Sequence, residues 1–181
     1  MIDPSKFKGV LREAQTLAKL GGDKVVRYMH CWVEFDTAFI KMELCSDNLR
    51  NLIDKKPGLF NRTQSESMDV LEYSISCQIF KELLECVQYL HESNPPVIHR
   101  DLKPQNILIS INNKNRKCLK ICDFGLATFH DMTSIYHTDG VGTFAYIAPE
   151  VCTPKCKYNT KADIFSMGKI LEELFDLDIN K

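Results

Sequence analysis

His99-Arg100-Asp101-Leu102-Lys103-Pro104-Gln105-Asn106 is the stretch from which the rest of this 181-residue chain is read. Short apolar runs flank it, Val97-Ile98 on one side and Ile107 to Ser110 on the other. A third run, Leu119 to Cys122, leads into Asp123-Phe124-Gly125, and the turn-rich Asn112-Asn113-Lys114-Asn115 separates the last two runs. Each run reads as a short strand, which places both polar motifs on loops between strands. Ala148-Pro149-Glu150 follows farther along. One aspartate at a turn is ordinary, because aspartate favours turns and caps. Two aspartates and an asparagine in this order, in these surroundings, ask for more than turn chemistry.

Upstream, Phe7, Val10, Leu11, Ala14, Leu17 and Ala18 recur at helical steps from Lys6 to Leu20, and Gly21-Gly22 stops the helix. Val25 to Val33 and Ala38 to Leu44 read as a strand pair around the turn Glu34-Phe35-Asp36. Ser46-Asp47 caps a short helix over Leu49 to Ile53, ended by Lys55-Lys56-Pro57-Gly58. A loop spans Asn61 to Ser67. Asp69 to Glu92 is the longest periodic segment, with Val70, Ile75, Ile79, Leu83, Val87 and Leu90 on one face of a core helix about 36 Å long. Phe124 to Val151 has no sustained period, and a last helix, Ala162 to Phe175, is apolar on several sides.

A net charge of −1 and a pI near 6.5 argue against a phosphate-backbone binder, so nucleic acid is not an expected partner of this segment. No apolar run is long enough to cross a bilayer, and the N-terminus lacks a basic-then-apolar leader, so no membrane partner is expected either. The eight cysteines include no C-x-x-C pair, which favours reduced thiols and a cytoplasmic setting. Cys118/Cys122 and Cys152/Cys156 are each four apart, but without histidine at ligand spacing they make a poor zinc site.

The loop His99 to Asn106, Asp123-Phe124-Gly125 and Ala148-Pro149-Glu150 together resemble the protein kinase family, whose signature set is H-R-D-L-x-x-x-N, D-F-G and A-P-E in that order. The resemblance implies an α+β, two-lobe kinase-like fold that is truncated here. Residues 1–44 would be a remnant of the small lobe, and residues 45–181 the hinge and first part of the large lobe. It implies ATP and Mg²⁺ as cofactors and a protein substrate. By the same resemblance Asp101 is the catalytic base, Asn106 and Asp123 bind magnesium through hard oxygens, and Lys103 contacts the transferred phosphate as in the serine/threonine branch.

Glu13, within Arg12-Glu13-Ala14-x-x-Leu17-Ala18-x-Leu20, matches the helical glutamate that pairs with a strand lysine, but residues 1–12 carry neither that strand nor a glycine-rich loop. Met42-Glu43-Leu44-Cys45 resembles the hinge, with Met42 beside the adenine and backbone groups of Glu43 and Cys45 bonded to it. Arg100 is a buried cation that a phosphorylated loop would neutralise, and Thr138 is the preferred acceptor among Thr133, Ser134, Tyr136, Thr138 and Thr143. Thr143 resembles the threonine that contacts the catalytic aspartate and lysine. Glu150 matches a glutamate whose arginine partner lies beyond this segment. Asp163 matches the aspartate that braces the catalytic loop, although an aspartate in a first helical turn is also favoured by the macrodipole.

Val26-Arg27-Tyr28-x-x-Cys31-Trp32-Val33-Glu34, Thr138 to Thr143 and Lys161 to Gly168 look most like the kinases of the alpha subunit of eukaryotic initiation factor two. That branch implies translational control and a homodimeric parent protein. The segment alone is expected to be inactive, since phosphate positioning needs the glycine-rich loop and strand lysine. The alternative is a non-catalytic, kinase-like scaffold; intact Asp101, Asn106 and Asp123 weigh against it.

Overall fold

Residues 4–35, 37–63, 65–111, 116–129, 144–151 and 159–177 are described by a computed structural model. The first helix, α1 (Pro4–Leu20), buries Ala14, Leu17 and Leu20. Gly21 and Gly22, at φ 52° and 84°, turn the chain out of it. The Tyr89 hydroxyl, from a helix of the larger body, donates to the Leu20 and Gly21 carbonyls, satisfying acceptors that a helix end leaves without intrahelical donors.

The strand expected from Val25 begins later. Val25 instead forms a parallel bridge with Ile121, the Val26 amide donates to the Ile121 carbonyl at 3.0 Å, and the Ile121 amide returns to Lys24 at 3.0 Å. Both valines are fully buried there, so core packing captures the segment before the hairpin starts. Strands β1 (Tyr28–Glu34) and β2 (Thr37–Met42) then pair antiparallel, with Cys31 opposite Ile40 and Trp32 opposite Phe39. Phe35, at the turn, has φ 46°.

Strand β3 (Asp47–Asn48) joins β5 (Ile107–Ile111), which pairs with β6 (Lys117–Ile121), in the order β3-β5-β6. Its pairing delays the next helix, α2 (Leu49–Leu59), whose N-cap is Asn48 rather than Ser46-Asp47; the Asn48 side chain accepts from the Asn51 amide at 3.0 Å. The helix also runs past its expected end at Ile53 and includes Pro57. Proline removes one donor, but its carbonyl accepts the amides of Phe60 and Arg62, so the last turn closes around it.

Helix α3 (Val70–His91) is capped by Asp69, which accepts the Glu72 amide at 2.7 Å. Its second half packs Leu83, Cys86, Val87 and Leu90 against β6, while Val70 and Ile75, expected in the core, are 87% and 41% exposed. In the first half Glu72 and Ser76 turn inward instead. The buried Glu72 carboxylate receives both Arg62 Nε and Nη2 at 2.6 Å and has Lys56 Nζ at 3.4 Å. Arg62 also reaches Asp176, and Lys56 donates to the Leu174 carbonyl at the end of α4 (Lys161–Leu174). A paired carboxylate with two cations excuses polar residues from a hydrophobic pattern. Removing it takes the shared carboxylate from two buried cations, so Glu72→Ala is expected to cost about 3 kcal/mol of stability, read from the urea midpoint, with Glu72→Gln losing less.

Two-residue strands β4 (Val97–Ile98) and β7 (Thr128–Phe129) pair with each other and bracket the polar loops. Among the described residues no helix is long and apolar enough to cross a membrane.

Candidate active site

The loop after β4 is fixed from below by Asp163, which is fully buried in the first turn of α4. Its carboxylate accepts the His99 amide at 3.0 Å and the Arg100 amide at 2.9 Å, and His91 Nε2 lies 2.8 Å away. The brace read from the sequence is therefore present, and His91, in the last turn of α3, joins it without any sequence signal. Arg100 holds φ 70°, a left-handed conformation unfavourable for a long side chain. The two carboxylate bonds hold the backbone in that conformation. The Arg100 side chain is buried, with Nε donating to the Leu126 carbonyl at 2.5 Å.

His99 ties the two loops together. Its Nε2 faces the Cys122 carbonyl at 2.9 Å, so that nitrogen carries the proton, and Nδ1 accepts the Asp101 amide at 3.3 Å. The ring also packs edge-on against the buried Phe124, centroids 4.9 Å apart. Both nitrogens are used by the neutral ring, and burial pushes its pKa below the ordinary 6.5 despite Asp163 nearby. The unfolded chain binds a proton near pH 6.5 that the folded one refuses, so stability is lost as pH falls below about 6.5, approaching about 1.4 kcal/mol per pH unit. Urea midpoints between pH 7.5 and 5 should show this slope, and His99→Gln should flatten it.

Asp101 and Asn106 meet across the short 3₁₀ turn Pro104–Asn106. Asn106 Nδ2 donates to the Asp101 carbonyl at 2.9 Å and to its carboxylate Oδ2 at 3.1 Å; Lys103 Nζ lies 2.7 Å from the same oxygen. The Asn106 carbonyl accepts the Cys122 amide at 3.0 Å, fixing the residue before Asp123. Asp123 has φ 64°, its side chain is exposed, and its Oδ1 accepts the Gly125 amide at 3.4 Å. With Nδ2 turned toward Asp101, the amide oxygen of Asn106 is directed away from that carboxylate.

Glu13 of α1 closes the far side. Its carboxylate accepts the Phe124 amide and lies near Asp123; burial first, and then that like charge, raise its pKa above the ordinary carboxylate value. A side chain at Gly125 would stand 3.8 Å from Glu13 Oε2 and 3.4 Å from Asp123 Oδ1.

Met42 ends β2 and packs against the main core. The Glu43 amide donates to the Arg27 carbonyl at 3.0 Å, so of its backbone the carbonyl alone is left to meet a base; the expectation for Glu43 narrows accordingly. Leu44 is 96% exposed. Glu43 and Cys45 border a groove of about 660 Å³ with Arg27, Met29, Ser110 and Ile111, which Asp101, Asn106 and Asp123 do not line. Thr138, Thr143, Cys152 and Cys156 lie outside the described residues.

Among the described residues no three His, Cys, Asp or Glu side chains assemble as a metal cluster. One carboxylate and one amide oxygen nonetheless suit magnesium, a hard cation that keeps waters and takes phosphate oxygens as its other ligands. The donor set of Asp123 and Asn106 thus fits the ion.

The description "Protein kinase domain" matches residues 2–178. The interferon-induced, double-stranded RNA-activated protein kinase of Rattus norvegicus is 33% identical over 94% of this chain and 34% of its own length. Mitogen-activated protein kinase 20 of Arabidopsis thaliana is 36% identical over 91% of the chain and 26% of its own length. In structure, the chain is similar to one from the yeast RNA Pol II CTD kinase CTDK-1 complex, with a TM-score of 0.72 and 29% identity, covering 94% of this chain and 50% of that one. The chain thus spans about a third or less of the curated relatives' length. A domain match over almost every residue, serine/threonine kinases among the relatives, and two loops joined through His99 and Asn106 lead to one conclusion: this chain belongs to the protein kinase family.

Proposed function

We propose that this segment carries the catalytic loop and metal site of an ATP- and magnesium-dependent serine/threonine protein kinase. The observation that carries the reading is the shared Asp101 oxygen, held by Asn106 and Lys103 while the Asn106 carbonyl anchors the residue before Asp123. Asp101 orients the acceptor hydroxyl and takes its proton. Lys103 places a fixed positive charge where the transferred phosphoryl group gathers negative charge. Asp123 and Asn106 would hold magnesium, which would neutralise phosphate oxygens. His99 keeps the Asp101 backbone fixed, and Glu13 orients the segment after Asp123 through the Phe124 amide.

The segment by itself is proposed to be inactive, because the sequence of residues 1–181 holds no G-x-G-x-x-G and no lysine-bearing strand motif ahead of Glu13. The alpha subunit of initiation factor two as substrate, a homodimeric parent and a cytoplasmic setting belong to the same proposal. The motif from Thr138 to Thr143 and the tryptophan-bearing strand support the first two; reduced cysteines support the third. The test is phosphate transfer from ATP to protein hydroxyls by the full-length protein. The proposal requires transfer that falls by about 10²-fold or more in Asp101→Asn, and transfer indifferent to that change would refute it.

A further inference from the structure

Lys120 is an anomaly of the central sheet. It sits on β6, opposite Leu108 and between the buried Leu119 and Ile121, and is itself only 7% exposed. A lysine there loses hydration that an aliphatic residue would not need, so its ammonium must be met by an anion. That anion is Glu43, 77 residues earlier, with Nζ and Oε1 2.5 Å apart and side chains 9% and 15% exposed.

The same Glu43 oxygen accepts the Arg27 amide at 2.7 Å, while the Glu43 amide donates to the Arg27 carbonyl. Burial would push the Glu43 pKa up, but the bonds from Lys120 and Arg27 outweigh it and hold the carboxyl below its ordinary range. One carboxylate therefore joins three segments: the stretch leading into β1, the segment after β2, and the strand that ends two residues before Asp123. A second tie runs alongside, through the bonds between Ile121 and residues 24 and 26.

We propose that Lys120 is a positioning residue for nucleotide binding: its ion pair with Glu43 fixes the backbone from Glu43 to Cys45 in the place where the base is received. This rests on the reading of Glu43 and Cys45 as the base-facing segment. A well-packed apolar pair would hold the strands as firmly, so what the ion pair adds is register between them. The pair acts on the base-facing backbone and not on the metal ligands. Its loss therefore weakens adenosine and Mg·ATP by the same factor.

The experiment measures adenosine and Mg·ATP dissociation constants by calorimetry on the full-length protein and on Lys120→Met and Lys120→Arg, each checked by its urea transition. Lys120→Met is expected to bind both ligands about tenfold more weakly, and Lys120→Arg to bind like the native protein. Should Lys120→Met fold poorly, Lys120→Gln, which still donates to Glu43, gives a smaller loss of the same sign for both ligands. Unchanged constants in folded Lys120→Met or Lys120→Gln overturn the inference. So does a loss confined to Mg·ATP, or a Lys120→Arg protein as weak as Lys120→Met. A native protein that binds neither ligand overturns instead the nucleotide-site reading beneath it.

Discussion

In the full-length protein, Asp163→Ala is expected to lower stability by about 3–5 kcal/mol and to abolish the proposed phosphate transfer at temperatures where the variant is still folded. The carboxylate is wholly buried and receives two amides and a histidine nitrogen. Alanine leaves the His99 and Arg100 amides without acceptors in a site closed to water, and each such orphan costs about 1–3 kcal/mol. Arg100 has a second reason to move. Its left-handed backbone is braced by those bonds, and relaxing it would draw Asp101 away from Asn106. For a domain of this size the loss corresponds to a melting temperature lower by about 10 °C. Asp163→Asn keeps one acceptor oxygen and should fall between native and alanine in both stability and rate. Thermal scans and initial rates on the same preparations separate the two effects.

In the full-length protein, Asp101→Asn is expected to remove about 10²–10⁴-fold of the rate of the proposed transfer, with little change in stability or in the KM for ATP. The substitution keeps an oxygen for Asn106 Nδ2, so the loop's internal bonds have the means to persist. What disappears is the basic oxygen beside Lys103 and its charge. A matching loss in kcat and kcat/KM identifies an interaction made in the transition state, whereas a rise in KM alone would assign Asp101 to ground-state binding. In contrast to Asp163→Ala, the urea midpoint of this variant should stay within about 1 kcal/mol of the native value.

These two aspartates differ in how openly the sequence declared them. Asp101 stood in a motif, and Asp163 could be matched through its neighbours, yet the geometry that makes Asp163 matter is shared with His91, seventy-two residues earlier, which nothing in the sequence marked. Helices α1, α3 and α4 were legible because their apolar residues keep a helical period. The first half of α3 was not, since its inward side is Glu72 and Ser76, while Val70, Leu71, Tyr73 and Ile75 face outward. Periodicity assigns a buried carboxylate to the surface unless its partners are known, and Arg62 and Lys56 come from elsewhere in the chain, with Asp176 on the far side of Arg62. The strand at Val25 was misplaced for a related reason. Two valines favour a strand, but which strand they join depends on Ile121. Lys120 and Glu43 likewise look like solvent-facing charges until the sheet brings them together.

Asp123 and Asn106, held in one frame with Asp101 through the Cys122 amide, are proposed to receive a divalent cation together with an adenine nucleotide. Electron paramagnetic resonance of Mn²⁺ with ADP and the full-length protein tests this most directly. A bound, nucleotide-dependent Mn²⁺ signal is expected, which Asp123→Asn abolishes and Asn106→Ala weakens. A signal of equal strength in the native protein and Asp123→Asn would contradict it.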